Sequence, residues 1–193
     1  MQNHFVIAGP AEDPAKAGAA GSPEQALQRI AAAKAPWVSR ADDSGTHKRE
    51  KSLFEAAGLD PDASWDGLVR TGSGMGLSLQ IAGERRAYIL SDIGTFLAFR
   101  ERIDLAALSK PGPSLLNVYS ILQLDAAHFD HPLQTTSAEA LEDFLIDRAT
   151  QARIAAFGRK RFGRALFTRL HLETKASRPV STVRDASPGT GGD

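Results

Sequence analysis

The fold is decided by residues 39–48, SRADDSGTHK. An apolar run at 35–38 precedes this stretch and indicates a short strand, while 48–57 has helical composition and stops at Gly58. The stretch is therefore a strand-to-helix turn, with residues 44–46 at the N-terminus of the helix. Such a terminus carries unpaired N–H groups and a partial positive charge, which suit an anion. We predict that this turn grips an anion.

Four positions of the turn supply what an anion needs. Gly45 lets a ligand approach the backbone closely, and Ser44 and Thr46 add hydroxyl donors. Arg40 adds a planar, permanently charged group that suits an oxyanion. A purely structural alternative stands beside this interpretation. In that alternative Ser44 only caps the helix, and Arg40 only forms an ion pair with a neighbouring aspartate.

Length and charge narrow the classes of function. The 193 residues form one large domain or two small ones, and 23 basic residues balance 23 acidic ones. The neutral balance indicates no nucleic-acid partner, and without a run of about 18 apolar residues we expect no membrane insertion. The chain has no cysteine, which excludes disulfides. Its first residues, MQNHF, lack the features of an export signal.

The remaining chain alternates between predicted strands and helices, which indicates an α/β fold. The predicted strands lie at 5–9, 35–38, 87–90, 105–108 and 115–124. The predicted helices lie at 23–33, 48–57, 77–82, 93–99 and 137–157, with a further apolar segment at 162–170. Ligands of α/β folds bind where the carboxyl ends of strands meet the N-termini of helices.

A glycine-rich loop at 71–76 offers a second helix N-terminus of this kind. Its sequence, TGSGMG, leads into the predicted helix 77–82. The glycine spacing does not match a dinucleotide fingerprint, and no strand is predicted to run directly into the loop. The loop therefore predicts ligand contact only in combination with the first turn.

Ordered motifs along the chain resemble the tungstate-binding proteins of ABC uptake systems. The motifs are FVIxGPxxDP at 5–14, AKAPxVSR at 33–40, DDSGTHK at 42–48, GxGMG at 72–76, DxGTxLAF at 92–99 and PSLxNxY at 113–119. The resemblance covers nearly the whole range 5–170. This sequence departs from the family pattern at Ala41, where glycine is usual, and at Ile93 and Phe96, where arginine and tyrosine are usual.

The resemblance implies a type II periplasmic-binding-protein fold, in which two α/β lobes close on a tetrahedral oxyanion. In family members roughly the first third of the mature chain, with a signal peptide, precedes the strand that matches 5–7. We therefore expect an N-terminally truncated chain. Residues 1–124 would form the second lobe with hinge strands, 125–171 the C-terminal helices of the first lobe, and 172–193 a disordered tail.

The resemblance also implies a binding site and partners. Arg40, Ser44, Gly45 and Thr46 would contact the anion, and the further expected contacts are Gly74, Met75, Asp92 and Thr95. No catalytic residue, resident metal ion or cofactor is expected, since the metal would belong to the oxyanion itself. The expected partner is the membrane permease of a periplasmic ABC uptake system, to which the chain would deliver tungstate.

The expected absence of the first lobe has physical consequences. The apolar faces of 137–157 and 162–170 would lack their cover, which predicts an exposed patch and self-association. Half a cleft also leaves the anion partly hydrated, so the chain would bind it more weakly.

Rival functions remain open at this point. A phosphate-, molybdate- or sulfate-type binding protein shares the same anion turn, and a cytoplasmic anion-sensing domain would need no export signal. An enzyme would need Ser44, His47 and Asp43 to act as a triad, but neighbours on one turn rarely align in that way. The pair His128 and His131 has a metal-like spacing, but lies in a predicted solvated loop.

Overall fold

The structure, a computed structural model, describes residues 1–62 and 65–169. Within these ranges the strands are β1 (Gln2–Gly9), β2 (Trp37–Ser39), β3 (Leu68–Arg70), β4 (Tyr88–Asp92), β5 (Ala106–Ala107) and β6 (Leu116–Val118). The α-helices are α1 (Pro23–Ala32), α2 (Gly45–Ala56), α3 (Met75–Glu84), α4 (Ile93–Phe99), α5 (Thr135–Ile146), α6 (Arg148–Ala156) and α7 (Arg159–Phe162).

A mixed sheet organises the molecule. Its order is β3-β2-β4-β1-β5, and β6 pairs with the other end of β1. β2 runs parallel to β3 and β4, whereas β1 runs antiparallel to β4, β5 and β6. The predicted α/β fold is confirmed.

Helices cover both faces of the sheet and create two apolar cores. Phe5 and Ile7 of β1 point to the core beneath α1 and α2, and Val6 and Ala8 point to the core beneath α3 and α4. Side chains alternate along a strand, so a strand buried on both faces must be apolar throughout. This is why 5–8 is a continuous apolar run.

The predicted start of α1 is confirmed. The Ser22 side chain accepts a hydrogen bond from the Gln25 N–H, and Gln25 Oε1 accepts one from the Gly21 N–H. Pro23 occupies the first turn, where its missing N–H costs nothing. The reciprocal bonds satisfy donors at the exposed helix end.

Two predictions about strands are wrong. A strand does run into the glycine-rich loop, because β3 ends at Arg70, directly before Thr71. The expected long strand at 115–124 is reduced to Leu116–Val118. These three residues pair with residues 2–4 of β1, and the described chain offers no further strand for residues 119–124.

The predicted helix 137–157 is two helices. Asp147 has an extended backbone between α5 and α6, and its carboxylate accepts hydrogen bonds from the N–H groups of Ala149 and Thr150. Such an aspartate starts a new helix rather than continuing the old one.

α5 has the exposed apolar surface that we expected. The helix buries no residue, and Leu141 and Phe144 are 58% and 54% exposed. The expectation of an uncovered apolar face is wrong for the described part of 162–170, where Leu166 is buried and Phe167 meets the rings of Tyr119 and Phe157. No helix of the described residues is long and apolar enough to cross a membrane. The predicted disordered tail at 172–193 lies outside the described residues, and the division at 124 remains a prediction.

Candidate functional site

Three helix N-termini meet at one edge of the sheet. β2, β3 and β4 are parallel, so their carboxyl ends lie side by side. α2, α3 and α4 begin shortly after these ends, at Gly45, Met75 and Ile93. The ligand edge predicted from the sequence is therefore present.

A cleft of about 250 Å³ opens at this edge. Five of the predicted ligand residues line it, namely Arg40, Ser44, Gly45, Thr46 and Asp92. Four further lining residues were not predicted as ligand contacts, namely Phe5, Arg49, Asn117 and Tyr119. The volume is below the range of about 300–1,000 Å³ typical of organic-ligand pockets, so the cleft suits a small ligand.

Arg40 is held in place at the floor of the cleft. Its guanidinium forms an ion pair with Asp42, and its Nε donates to the Ser73 carbonyl oxygen over 3.4 Å. The Ser44 hydroxyl donates to Asp42 Oδ1 over 2.7 Å, and the Ser44 N–H donates to the same oxygen. Burial alone would raise the pKa of Asp42, but the bonds from Ser44 and Arg40 outweigh it and lower the pKa. Asp42 is therefore a carboxylate.

The structural alternative for this turn is also observed. Ser44 Oγ accepts a hydrogen bond from the His47 N–H over 3.4 Å, and Arg40 has its aspartate partner. Capping and ion pairing do not compete with the predicted role, because the same residues line the cleft. The first N–H groups of α2, on Gly45 and Thr46, cannot bond within the helix and face this edge.

Arg49 is a second cation in the cleft. It lies four residues after Gly45, one helical turn along α2, and its guanidinium stands 6.0 Å from the centre of the Phe5 ring. The antiparallel register sets Phe5 directly opposite Asp92. The spacing of four residues from Gly45 is the sequence signal that would have indicated Arg49, which the sequence analysis missed.

β6 and the residue that follows it supply two further lining residues of the cleft, Asn117 and Tyr119. Asn117 Nδ2 donates to Asn3 Oδ1 over 2.8 Å and to the Tyr119 hydroxyl over 3.1 Å. Asn117 and Tyr119 are two residues apart, so they lie on one side of an extended chain. That spacing in the PSLxNxY motif would have indicated that the two side chains share a face, although not which strand they meet.

Three predicted contacts lie outside the lining. Gly74 caps α3, and its carbonyl oxygen accepts a bond from the Ser78 hydroxyl. Met75 is buried in the core beneath α3. Thr95 donates its N–H to Asp92 Oδ1 over 2.9 Å, which fixes the Asp92 side chain as the cap of α4.

A buried carboxyl group lies behind the cleft. Glu50, on α2, is 5% exposed, and its Oε1 accepts a hydrogen bond from Trp37 Nε1–H over 3.1 Å. Burial is the main cause that raises the pKa of Glu50 to about 7, against the opposing effect of hydrogen bonds from Ser39, Trp37 and the Arg40 backbone.

A larger cavity, of about 560 Å³, contains none of the motif residues of the anion turn. Burial, with a smaller effect from Arg164, lowers the pKa of His4 on its wall. Because this wall holds a single arginine and is largely apolar, we take the smaller cleft as the candidate site. The described residues contain no group of His, Asp and Glu that could hold a metal ion.

A catalytic triad is not formed. The Ser44 hydroxyl donates to Asp42, and His47 Nδ1 accepts the N–H of Asp43 over 3.1 Å. The histidine therefore has no hydrogen bond that would take the serine proton.

The fold and the cleft define an α/β structure with a polar site at the carboxyl edge of its sheet, as in periplasmic binding proteins. The chain belongs to the PBP superfamily domain family, whose model matches residues 1–152. The family resemblance seen in the sequence is confirmed, and the fold is of the type II periplasmic-binding-protein kind.

Named relatives share this fold. The "Tungstate-binding protein TupA" of Peptoclostridium acidaminophilum is 32% identical over 170 residues, which are 87% of this chain and 58% of the relative. The solved structure of TupA from Desulfovibrio alaskensis G20 aligns with a TM-score of 0.73 and 36% identity, over 87% of this chain and 67% of that chain.

The tungstate ABC transporter structure from Geobacter sulfurreducens aligns with a TM-score of 0.69 and 34% identity, over 81% of this chain and 68% of that chain. The chain thus spans well under two thirds of the length of the curated TupA relative.

Replacing Gly45 with alanine tests close approach at the cleft. A Cβ at Gly45 meets no atom within 4 Å, so we expect the unfolding free energy to change by less than about 1 kcal/mol. The methyl group occupies space next to the helix N–H groups, so anion affinity should fall about tenfold, or about 1.4 kcal/mol. Calorimetric titration and thermal unfolding measure the two effects.

Gly74→Ala is the matched comparison. A Cβ at Gly74 also meets open space at a helix start, but Gly74 does not line the cleft. Affinity should change little in this variant. If both substitutions weakened binding equally, the anion would also contact the start of α3. That result would contradict our assignment of the site to the cleft at α2.

Proposed function

We propose that the chain is the oxyanion-binding part of the substrate-binding component of an ABC uptake system, with tungstate as its preferred ligand. The observation that carries the proposal is the meeting of Arg40, Ser44, Gly45 and Thr46 in one small cleft. Their charge-assisted and helix N-terminal donors match a tetrahedral oxyanion. The relatives named for tungstate binding support the choice of ligand.

Binding in this proposal is electrostatic and geometric. Arg40 and Arg49 supply two positive charges, and α2 supplies backbone N–H groups at its positive end. No covalent step, resident metal ion or cofactor takes part. Export to the periplasm and delivery to a membrane permease belong to the same proposal, and we make them by analogy with the relatives.

The lobe assignment is also a proposal. We assign residues 1–124 to one lobe of a two-lobed protein and 125–171 to helices that pack on the other lobe. The exposed side chains of α5 and the shorter length of the chain relative to TupA support this division. With one wall of the cleft open to water, we expect micromolar rather than nanomolar affinity.

Asp92 favours one alternative ligand. A carboxylate in an anion cleft repels a fully deprotonated oxyanion, but it accepts a hydrogen bond from one that keeps a proton. Hydrogen phosphate keeps such a proton near neutral pH, whereas tungstate, molybdate and sulfate do not. A phosphate-binding function is therefore the second candidate.

Calorimetric titration with tungstate, molybdate, sulfate and phosphate at equal ionic strength tests both candidates. We expect tungstate to bind most tightly and chloride to give no heat. If phosphate bound more tightly than tungstate, the phosphate-binding function would be the correct one. A folded sample that binds none of the four anions contradicts an oxyanion-binding function for this chain.

A further inference from the structure

The position of Glu50 relative to the cleft carries a further inference. Glu50 lies four residues after Thr46 on α2, so it sits on the same helix face about 6 Å further along the axis. Thr46 lines the cleft, and Glu50 is buried beneath it. An anion in the cleft and a charged Glu50 would therefore be close neighbours on one helix.

The surroundings of Glu50 connect it to the residues that hold the anion. Trp37 of β2 donates its indole N–H to Glu50, and the Ser39 hydroxyl and the Arg40 N–H are its other hydrogen-bond partners. Trp37 and Ser39 are the first and last residues of β2, and Arg40 follows directly. Glu50 thereby fixes the segment from which the Arg40 side chain extends.

Few charged side chains act on Glu50 from the helices and strands packed around it. Arg70, at the end of β3, is the charged side chain that acts on it, and its partners on β2 are neutral donors. α1 and β4 pack on α2 through apolar residues such as Leu27 and Leu53. β4 has two titratable residues. Tyr88 directs its hydroxyl to Asp13. Asp92 lies at the cleft as the cap of α4, where its Oδ1 accepts the Thr95 N–H.

We propose that Glu50 is a proton-coupled positioning residue for the anion, so that a Glu50 carboxylate takes up a proton from solvent when the anion enters the cleft. The inference rests on the proposed oxyanion-binding function. A negative Glu50 and the anion repel each other and both draw on the positive end of α2. Arg40 links them, because its N–H is a partner of Glu50 and its side chain lines the cleft. Protonation removes this repulsion, and the Ser39 hydroxyl remains a partner because it both accepts and donates.

Burial raises the pKa of Glu50 to about 7, so the Glu50 carboxyl is about half protonated at neutral pH when no anion is bound. If the anion drives the remaining carboxylate to the acid form, binding takes up about half a proton at that pH. Above the pKa, affinity should fall up to about tenfold for each pH unit, and below about pH 6 it should reach a plateau.

The test is calorimetric titration of the full chain with tungstate and with sulfate, in buffers of different ionisation enthalpy. Both anions are fully deprotonated near neutral pH, so the uptake belongs to the protein. We expect about half a proton for the wild type and none for Glu50→Gln. The Glu50→Gln variant should match the wild type at about pH 6 and bind several-fold more tightly at about pH 8.

A role of Glu50 in structure alone would lower affinity at every pH and leave proton uptake unchanged. Anion binding without proton uptake by the wild type overturns the inference and leaves the proposed function intact. Absence of anion binding overturns both. The wild-type measurement is decisive by itself if Glu50→Gln fails to fold.

A measurement without ligand checks the titration of Glu50. The folded state keeps its Glu50 proton to higher pH than the unfolded chain, so it binds more protons in the interval up to about pH 7. The unfolding free energy should therefore fall with rising pH through that interval. Glu50→Gln should remove this part of the decrease, and identical slopes for both proteins contradict a raised pKa.

Discussion

Arg40→Ala should abolish measurable oxyanion binding at micromolar concentrations while the chain stays folded. The variant removes the charged donor at the floor of the cleft and leaves Asp42 without its cation. Loss of a hydrogen bond to a charged group costs about 1.5–3 kcal/mol, and the uncompensated Asp42 adds repulsion. We therefore expect affinity to fall at least about 100-fold, measured by calorimetric titration.

Arg102→Ala is the matched control for the loss of one positive charge. Arg102 is exposed and follows α4 at the end of that helix opposite its cleft-facing N-terminus. The anion affinity of the Arg102→Ala variant should stay within about twofold of the wild type, because exposed, distant charges are screened by salt. Equal weakening in both variants would show that binding depends on net charge rather than on this cleft.

Trp37→Ala should cause the largest loss of stability. Trp37 is fully buried in the core beneath α1 and α2, where its ring meets Phe54 edge to face at 5.8 Å. Removing a buried tryptophan costs about 3–5 kcal/mol. Glu50 also loses its indole donor. Small domains have unfolding free energies of only about 5–15 kcal/mol, so the variant should be barely stable. Chemical denaturation measures this loss.

Trp65→Ala provides the comparison. Trp65 is only half-buried, although it stacks on the same Phe54 ring and donates Nε1–H to the Ala35 carbonyl oxygen over 2.9 Å. Its loss should cost less than half as much. A similar loss for both tryptophans would mean that the stacked edge of this core, rather than its centre, carries the stability.

The anion turn was predictable because its signals are local. The cap at Ser44, the glycine at the first helical position and the apolar strand before them are each recognisable within ten residues. An aspartate partner for Arg40 was predictable for the same reason, since Asp42 and Asp43 lie two and three residues away, and the structure selects Asp42. Short-range chemistry of this kind does not depend on the arrangement of the sheet.

The other half of the cleft depends on pairing between distant segments. Phe5 reaches Asp92 only through the register of β1 against β4, and Asn117 reaches Asn3 only through β6. A single sequence contains no signal for register, so these residues were not predicted to meet. The actual length of β6 was missed for the same reason, since a strand is as long as its partner allows.

The break between α5 and α6 shows a different limit. Asp147 fits the polar face of one long helix as well as it fits a cap. The choice between the two depends on packing, and Thr150 and Gln151 at the start of α6 are buried whereas α5 buries nothing. The helical period alone does not distinguish these cases.

β1 precedes the other strands of the described residues, yet it lies between β4 and β5 and extends to β6. Phe5 pairs with Asp92, and Gln2 pairs with Val118, so each pairing joins residues that are far apart in the sequence. High contact order of this kind slows folding, because long loops must close before any pairing is gained. On a ribosome, the pairing of β1 with β6 cannot form until Leu116–Val118 have left the exit tunnel, so this end of β1 stays unpaired and open to chaperones and proteases while the residues between the two strands are synthesised.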